Sequence, residues 1–506
     1  MKSGHHNRAC AMARSVLGGI CLVGVASACG SSASDPEVTG ALSEGLRGGD
    51  PSGRSHGHHS GHHGGANGGG ANGGGANGGG VVRACGPQDQ DQLFHVLNSD
   101  LSSLDSADAR FTRYFSLGDR ARVVGCGAAL DAERAAITKL LNSVSLDARL
   151  APLVPVDVDL TVYRLDLRDY GWDRPIVVGR QRSRDAWEAL IAESPYALPY
   201  VGDDADQASL ATGTAVPVLF GDAFVAAAAR APLYYALLDI PANADTFLRD
   251  ELGIDLANGE TARAGFEATA GGGTANFLAQ RADIEVRAGV AWQISEFGKL
   301  FDDPLGSADG EREIVFTLPN GLQGHILADA NGRVKARSDV LLDTSESDFS
   351  AHVATSFFRS RANGVEFEDQ VRDFVRANPR NFNAAEVTAI RAAYPGQRAL
   401  QQILADDRAI FNTALGRLGI DIATAPEPVS QSFANFDADV DLATAAADLL
   451  LSPEELRQNL ALLDPAFSVL RAGGTLDRGD FDVLYRSAAC IFTTILENQV
   501  DPKLCP

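Results

Sequence analysis

GLQGHILADANGRVKARSDVLL, residues 321–342, is the stretch on which the fold turns. It reads as a β-hairpin, because Asp329-Ala330-Asn331-Gly332 supplies turn chemistry and Asn and Gly accept the positive φ that a tight reversal needs. Strands are expected just before it, at Val290–Ile294 and Glu313–Leu318, so the sheet around this point should be antiparallel. Further upstream, TVYRLDLR (161–168) alternates Tyr163, Leu165 and Leu167 with Arg164, Asp166 and Arg168, the period of a half-buried strand.

Helical spacing surrounds these strands. The lead-in from Asp89 to Ser145 reads as helical, with Ile137, Leu140, Leu141 and Val144 of DAERAAITKLLNSVS on one stripe. SRDAWEALIAES predicts a helix capped by Ser183 with Trp187, Leu190 and Ile191 inward, and GDAFVAAAARAPLYYALLDI (221–240) predicts another. After Asp343 no strand signal survives. Helices are expected at 366–378, 383–394, 398–419, 452–463 and 480–498, with Leu400, Ile403, Phe411, Leu415 and Leu418 as a core stripe. The expected class is α+β: a mixed or antiparallel sheet region with helices (85–342), followed by an all-α C-terminal region (343–506).

The N-terminus carries an address. Lys2, Arg8 and Arg14 precede a short apolar run, Ser15–Val25, which suits a secretory signal and is too short to span a bilayer. Val25-Ala26-Ser27-Ala28-Cys29 resembles a bacterial lipobox, with Ala26 where Leu is more usual, so 1–28 is read as a lipoprotein signal and Cys29 as the lipidation site. The other reading is a plain secreted protein cut nearby. Gly30 gives no sign of inner-membrane retention, which points to the outer membrane or cell surface of a bacterial envelope. Residues 29–84, including SHGHHSGHH and the ANGGG repeats, hold almost no large apolar side chains and read as a disordered tether. Its five histidines are filler in a spacer before they are metal ligands.

A formal charge of −23 lacks the basic footprint that nucleic acid requires. Cys10 and Cys21 leave with the signal, so Cys85, Cys126, Cys490 and Cys505 remain as disulfide candidates with three pairings. Sequence proximity favours Cys85 with Cys126 and Cys490 with Cys505, each loop contributing about 3 kcal/mol.

Catalytic signatures are sparse. G-x-S-x-G, H-E-x-x-H and the phosphate-binding G-x-x-x-x-G-K-[ST] are missing from the sequence. Of ten histidines only His95, His325 and His352 lie beyond the tether, none near another in sequence. Asp437, Asp439 and Asp441 have calcium-loop spacing, but Leu442 stands where glycine is needed and Asp448 replaces the closing glutamate. RLDLRDYGW gathers Asp166, Arg168, Asp169, Tyr170 and Trp172, either a polar site at a strand end or a charged strand edge over a buried Trp. The glycines of AGFEATAGGGTANFLAQR (264–281) either let backbone approach a ligand or form a loop before a helix.

RYFSL, KLLNSVS, YRLDLRDYGW, RAPLYYALLDIP, RAGFEATAGGGTANFLAQR and FTLPNGLQGHILADANG together resemble a poorly characterised family of bacterial secreted proteins whose C-terminal part is similar to a c-type cytochrome. The resemblance runs from Phe111 to about Asp448. It implies a haem-attaching Cys-x-x-Cys-His after the hairpin, where this chain reads ATSFFRSRANG (354–364). Phe357, Ser360 and Arg361 stand where Cys, Cys and His belong, so the C-terminal region is expected to resemble a cytochrome c-like helical domain without haem. The expectation is thus a membrane-anchored binding or scaffolding module, not an enzyme, with no cofactor or metal, a membrane contact through lipid, and a protein partner. Two alternatives stand beside it: an electron-transfer or haem-binding protein, and a hydrolase built on RLDLRDYGW.

Overall fold

The computed structural model describes residues 85–270, 273–421, 426–496 and Val500. The signal segment, Cys29, the tether and Cys505 lie outside the described residues. The first element is α1 (Gln90–Leu101), capped by the Asp89 carboxylate accepting from the Gln92 amide. After the one-turn α2 (Ser106–Ala109) comes β1 (Thr112–Ser116), a strand inside the lead-in expected to be helical. All five of its residues are buried. It is a central strand covered on both faces, Tyr114 facing one core and Phe115 another, so it shows no alternation to read.

Helices α3 (Gly118–Val124) and α4 (Ala128–Ser143) follow, and in α4 the expected stripe Ile137, Leu140 and Leu141 is fully buried. A Cys85–Cys126 disulfide closes this opening segment. β2 (Val154–Pro155) and β3 (Val162–Asp166) lead to the small hairpin β4 (Ile176–Val178) and β5 (Gln181–Ser183). Helix α5 (Ala186–Glu193) is capped by Asp185, two residues after the expected Ser183: its Oδ1 accepts from the Glu188 amide at 2.8 Å, while Ser183 ends β5. Helix α6 (Asp203–Thr212) and strand β6 (Val218–Phe220) complete a four-stranded sheet ordered β2-β3-β1-β6, with β6 parallel to β1 and the other pairs antiparallel. The helix expected over 221–240 is two, α7 (Gly221–Ala228) and α8 (Leu233–Leu237). Pro232 interrupts it, because proline removes a backbone donor and restricts the residue before it.

The second sheet is an antiparallel meander of five strands: β7 (Glu260–Ala270), β8 (Gly273–Asp283), β9 (Val290–Glu296), β10 (Arg312–Thr317) and β11 (Gln323–Ala328). AGFEATAGGGTANFLAQR, read as backbone opened to a ligand or as a loop before a helix, is the hairpin β7–β8, with Phe266 opposite Phe277 and Ala264 opposite Ala279. Its small residues serve packing. A Cβ on Gly265 would come within 2.5 Å of Val371 and 2.7 Å of Leu300, so the helix crossing this face needs a bare backbone.

The turn at 329–332 forms as expected, with the Gly332 amide (φ 79°) donating to the Asp329 carbonyl at 2.9 Å and a bridge between Ala328 and Val334. The hairpin it begins does not continue. β12 (Arg337–Leu342) leaves β11, which stays the edge strand of its sheet with β10 as its neighbour, and pairs instead with β13 (Ser350–His352). β13 also means that the region after 343 is not wholly helical.

Its helices of six or more residues, among those described, are α9 (Thr355–Ser360), α10 (Val371–Ala377), α11 (Ala384–Ala393), α12 (Gln397–Arg417), α13 (Pro428–Phe436), α14 (Leu442–Asp448), α15 (Pro453–Asn459) and α16 (Arg478–Leu496). They divide among cores shared with earlier elements. α12 lays Leu400 and Leu404 on one sheet face beside Trp292 and Phe367, while α10 and α11 cover Leu278 with Val371, Ile390 and Tyr394. Phe436, Phe481 and Tyr485 of the last helices enclose Tyr196, Leu198 and Phe220. The result is mixed α+β with mainly antiparallel sheets.

Candidate functional site

Ala354, Phe357 and Phe358 of the segment 354–364 belong to the largest buried core. Phe357 and Phe358 on α9 are buried, and Arg361 just beyond it is 4% exposed. A guanidinium so deep must be paired: Arg361 Nε and Nη2 donate to the two Glu313 carboxylate oxygens at 2.9 and 2.5 Å. Glu313 is itself buried, on β10. His325 of β11 lies against both rings, at 5.9 Å from Phe357 and 5.4 Å from Phe358. Burial, with Arg361 and Lys139 nearby, pushes its imidazole down to about 3, so it is neutral at physiological pH. Beneath it Lys139 pairs with Glu427 at 2.8 Å and stands 5.2 Å from the Phe358 ring centre. Haem does not fit these residues: no thiol is present for attachment, Arg361 is spent on Glu313, and Ser360 donates only to the Phe357 carbonyl at 3.5 Å.

RLDLRDYGW becomes a braced strand end. Arg168 Nε bonds Asp166 at 2.9 Å, its Nη2 bonds Asp108 at 2.8 Å, and its guanidinium lies 4.7 Å from the Phe111 ring centre. Tyr170 and Trp172 are buried and donate to the carbonyls of Ala151 and Val144. These side chains do not converge on one reacting point. Next to them, however, is a recess of about 420 Å³ between β1, the end of β3, the start of α5 and the end of α6, lined in part by Arg110, Phe111, Arg113, Leu167, Asp173 and Arg184. Arg113 is 2% exposed. Its Nη1 donates to the carbonyls of Arg110 (3.1 Å), Thr112 (2.7 Å) and Thr212 (3.2 Å), and among the described residues its Nε has no partner. Burial lowers its guanidinium from 12.5 to about 10.

The other expected residues scatter. His95 is exposed on α1, at a second, open recess of about 520 Å³ with Asp91, Asp157, Asp159 and Asp204. The Asp157 carboxylate there already accepts from the Thr161 and Val162 amides at 2.8 Å. His352 is held between Arg230 (3.0 Å to Nδ1) and Asp348 (3.1 Å to Nε2). Since arginine only donates, Nδ1 accepts and Nε2 carries the proton towards Asp348. Asp437 ends α13, Asp439 accepts from Thr475, Asp441 caps α14 through the Thr444 amide, and Asp448 is buried beside Arg478 at 2.8 Å. Among the described residues no group of three His, Cys, Asp or Glu is placed to hold a metal.

A buried ionisable cluster joins α3, α4, α7, α14 and α16, and sequence reasoning missed it. Asp119, Asp222 and Asp448 lie close enough to act on one another, and among the described residues no basic or amide group donates to either Asp119 oxygen. Burial with Asp222 and Asp448 as neighbours raises Asp119 well above the usual carboxyl range. Burial outweighs Arg478 to push Asp448 up to about 7. Arg120 approaches Glu133 at 3.6 Å and Asp222 at 3.9 Å, while Arg478 also bonds the Tyr196 hydroxyl at 2.8 Å. The three aspartates sit at helix ends far apart in the chain, so no local pattern could have grouped them.

No protein-family model, curated protein or solved structure matches this chain.

Proposed function

We propose that the protein is a lipid-anchored binding module of a bacterial cell envelope, held away from the membrane by its tether. The observation that carries this reading is the Cys85–Cys126 disulfide at the point where the described fold begins. Such cross-links persist in oxidising, extracytoplasmic compartments. Cys490 is also disulfide-bonded, which fits the same setting. Cys29 supplies the anchor, since a diacylglyceryl thioether plus an N-terminal acyl chain holds where one chain is marginal. Binding is favoured over catalysis because Asp166, Arg168 and His352 are each committed to a neighbouring ionisable side chain. The likeness to c-type cytochromes enters as ancestry of the C-terminal part, with Phe357, Phe358 and the Arg361–Glu313 pair filling the haem motif's place.

Fractionation of cells carrying Cys29→Ser tests the anchor. The variant is expected in the soluble extracytoplasmic fraction and the native chain in membranes. A variant that still sediments with membranes removes the lipid from the account.

A further inference from the structure

We infer that the recess beside Arg113 is a binding site for a small monocarboxylate with an apolar body. The inference rests on the binding-module reading for treating this molecule as a ligand and not a substrate. Among the described residues four Lys or Arg side chains are buried: Arg113, Lys139, Arg361 and Arg478. Three have a carboxylate partner, Lys139 with Glu427 at 2.8 Å, Arg361 with Glu313 at 2.5 Å and Arg478 with Asp448 at 2.8 Å. Arg113 has none within ion-pair distance and meets only carbonyl oxygens, all through Nη1. A buried cation without a counter-ion is costly, and folded chains supply one. Asp185 and Asp166 act on Arg113 through their charge, but neither comes within ion-pair distance, so a carboxylate in contact has to come from outside.

The surroundings say what kind. Asp185 is engaged twice, by Arg184 at 3.1 Å and by the Glu188 amide at 2.8 Å, so it is not free to turn towards Arg113. Arg110 lines the same recess, exposed and without an ion-pair partner among the described residues, where it can reach the second oxygen of a carboxylate. Phe111 and Leu167 supply apolar wall for the rest of the molecule, and about 420 Å³ is within the range of small-ligand sites. Asp173 and Asp185 on the lining, in a chain of net charge −23, disfavour a second negative charge on the ligand.

Calorimetric titration of the full-length protein with benzoate, and with benzamide as the neutral isostere, tests this. Benzoate is expected to bind and benzamide not. Arg110→Gln should weaken benzoate about tenfold, the loss of one charge-assisted hydrogen bond. Arg113→Met should abolish it, and Arg417→Gln, at the exposed end of α12, should leave it unchanged. Arg110 is exposed, so that variant keeps the test decisive even if Arg113→Met does not fold. No heat with benzoate, equal binding of benzamide, inorganic phosphate binding as tightly as benzoate, or an Arg110→Gln variant as tight as the native chain would each overturn the inference. Fractionation of Cys29→Ser is independent of these titrations, so an anchored protein that ignores benzoate sinks this inference and leaves the module reading standing.

Discussion

Arg361 shows how a single buried charge dictates a partner far away in the chain. Where the family resemblance implies an axial histidine, this chain buries a guanidinium and must therefore bury its counter-ion, Glu313, 48 residues earlier on a neighbouring strand. The sequence displayed the first half of that exchange, in ATSFFRSRANG, but not the second, because nothing local marks Glu313 as its partner. Arg361→Met is expected to destabilise the fold by about 3–5 kcal/mol, since it strands a buried carboxylate, while Arg361→Met with Glu313→Leu should recover most of the loss. Urea denaturation of the two variants measures this; a single variant as stable as the native chain would refute the pairing as a structural element. Glu427 behaves in the same way. Burial acts to raise its carboxyl, but Lys139 and the Ser430 donors outweigh that and hold it below the usual range.

At the scale of elements, the buried aspartates predict the response to pH. The Asp448 carboxyl, at about 7, keeps its proton in the folded chain at pH values where the unfolded chain, near 3.8, has lost it. Folding strength from this group is therefore complete below about pH 4, falls as pH rises from about 4 to 7, and is flat above. Asp119, raised as well, adds to the same slope. Each unit of displacement is worth about 1.4 kcal/mol, so urea midpoints at pH 5 and pH 8 should differ, and Asp119→Asn should reduce the difference. A variant with the full native slope would show that Asp119 does not titrate there. The helices with clear one-sided periodicity, α4 and α12, were legible, and β9 and β10, though buried on both faces, also lie close to where they were expected. Those missed have a physical reason. β1 is covered on both faces, β7 and β8 pack through Ala and Gly and so display little apolar contrast, and β12 and β13 pair across a loop instead of along the expected hairpin.

For the whole molecule, cysteine arithmetic read the one disulfide with two described ends, Cys85–Cys126, whereas the recess at Arg113 was invisible, because it assembles from β1, α5, α6 and the end of β3. Reduction of that disulfide should lower stability by about 3–4 kcal/mol, as expected for a loop of this length; guanidinium titrations with and without reductant would check it, and coincident curves would show the cross-link to be energetically idle. The disulfide also has a mechanical consequence. Any pull arriving along the chain before Cys85 passes through the sulfur bridge to Cys126 and loads the start of α4, bypassing α1, β1 and α3. The 41 residues of separation, roughly 150 Å of contour at about 3.6 Å per residue, stay locked under tension until the bridge is cut. Stretched from its two ends by optical tweezers, the native chain should extend by that much less than a Cys85→Ser, Cys126→Ser variant, so the segment between the two cysteines is shielded from a load that reaches the fold through Cys85.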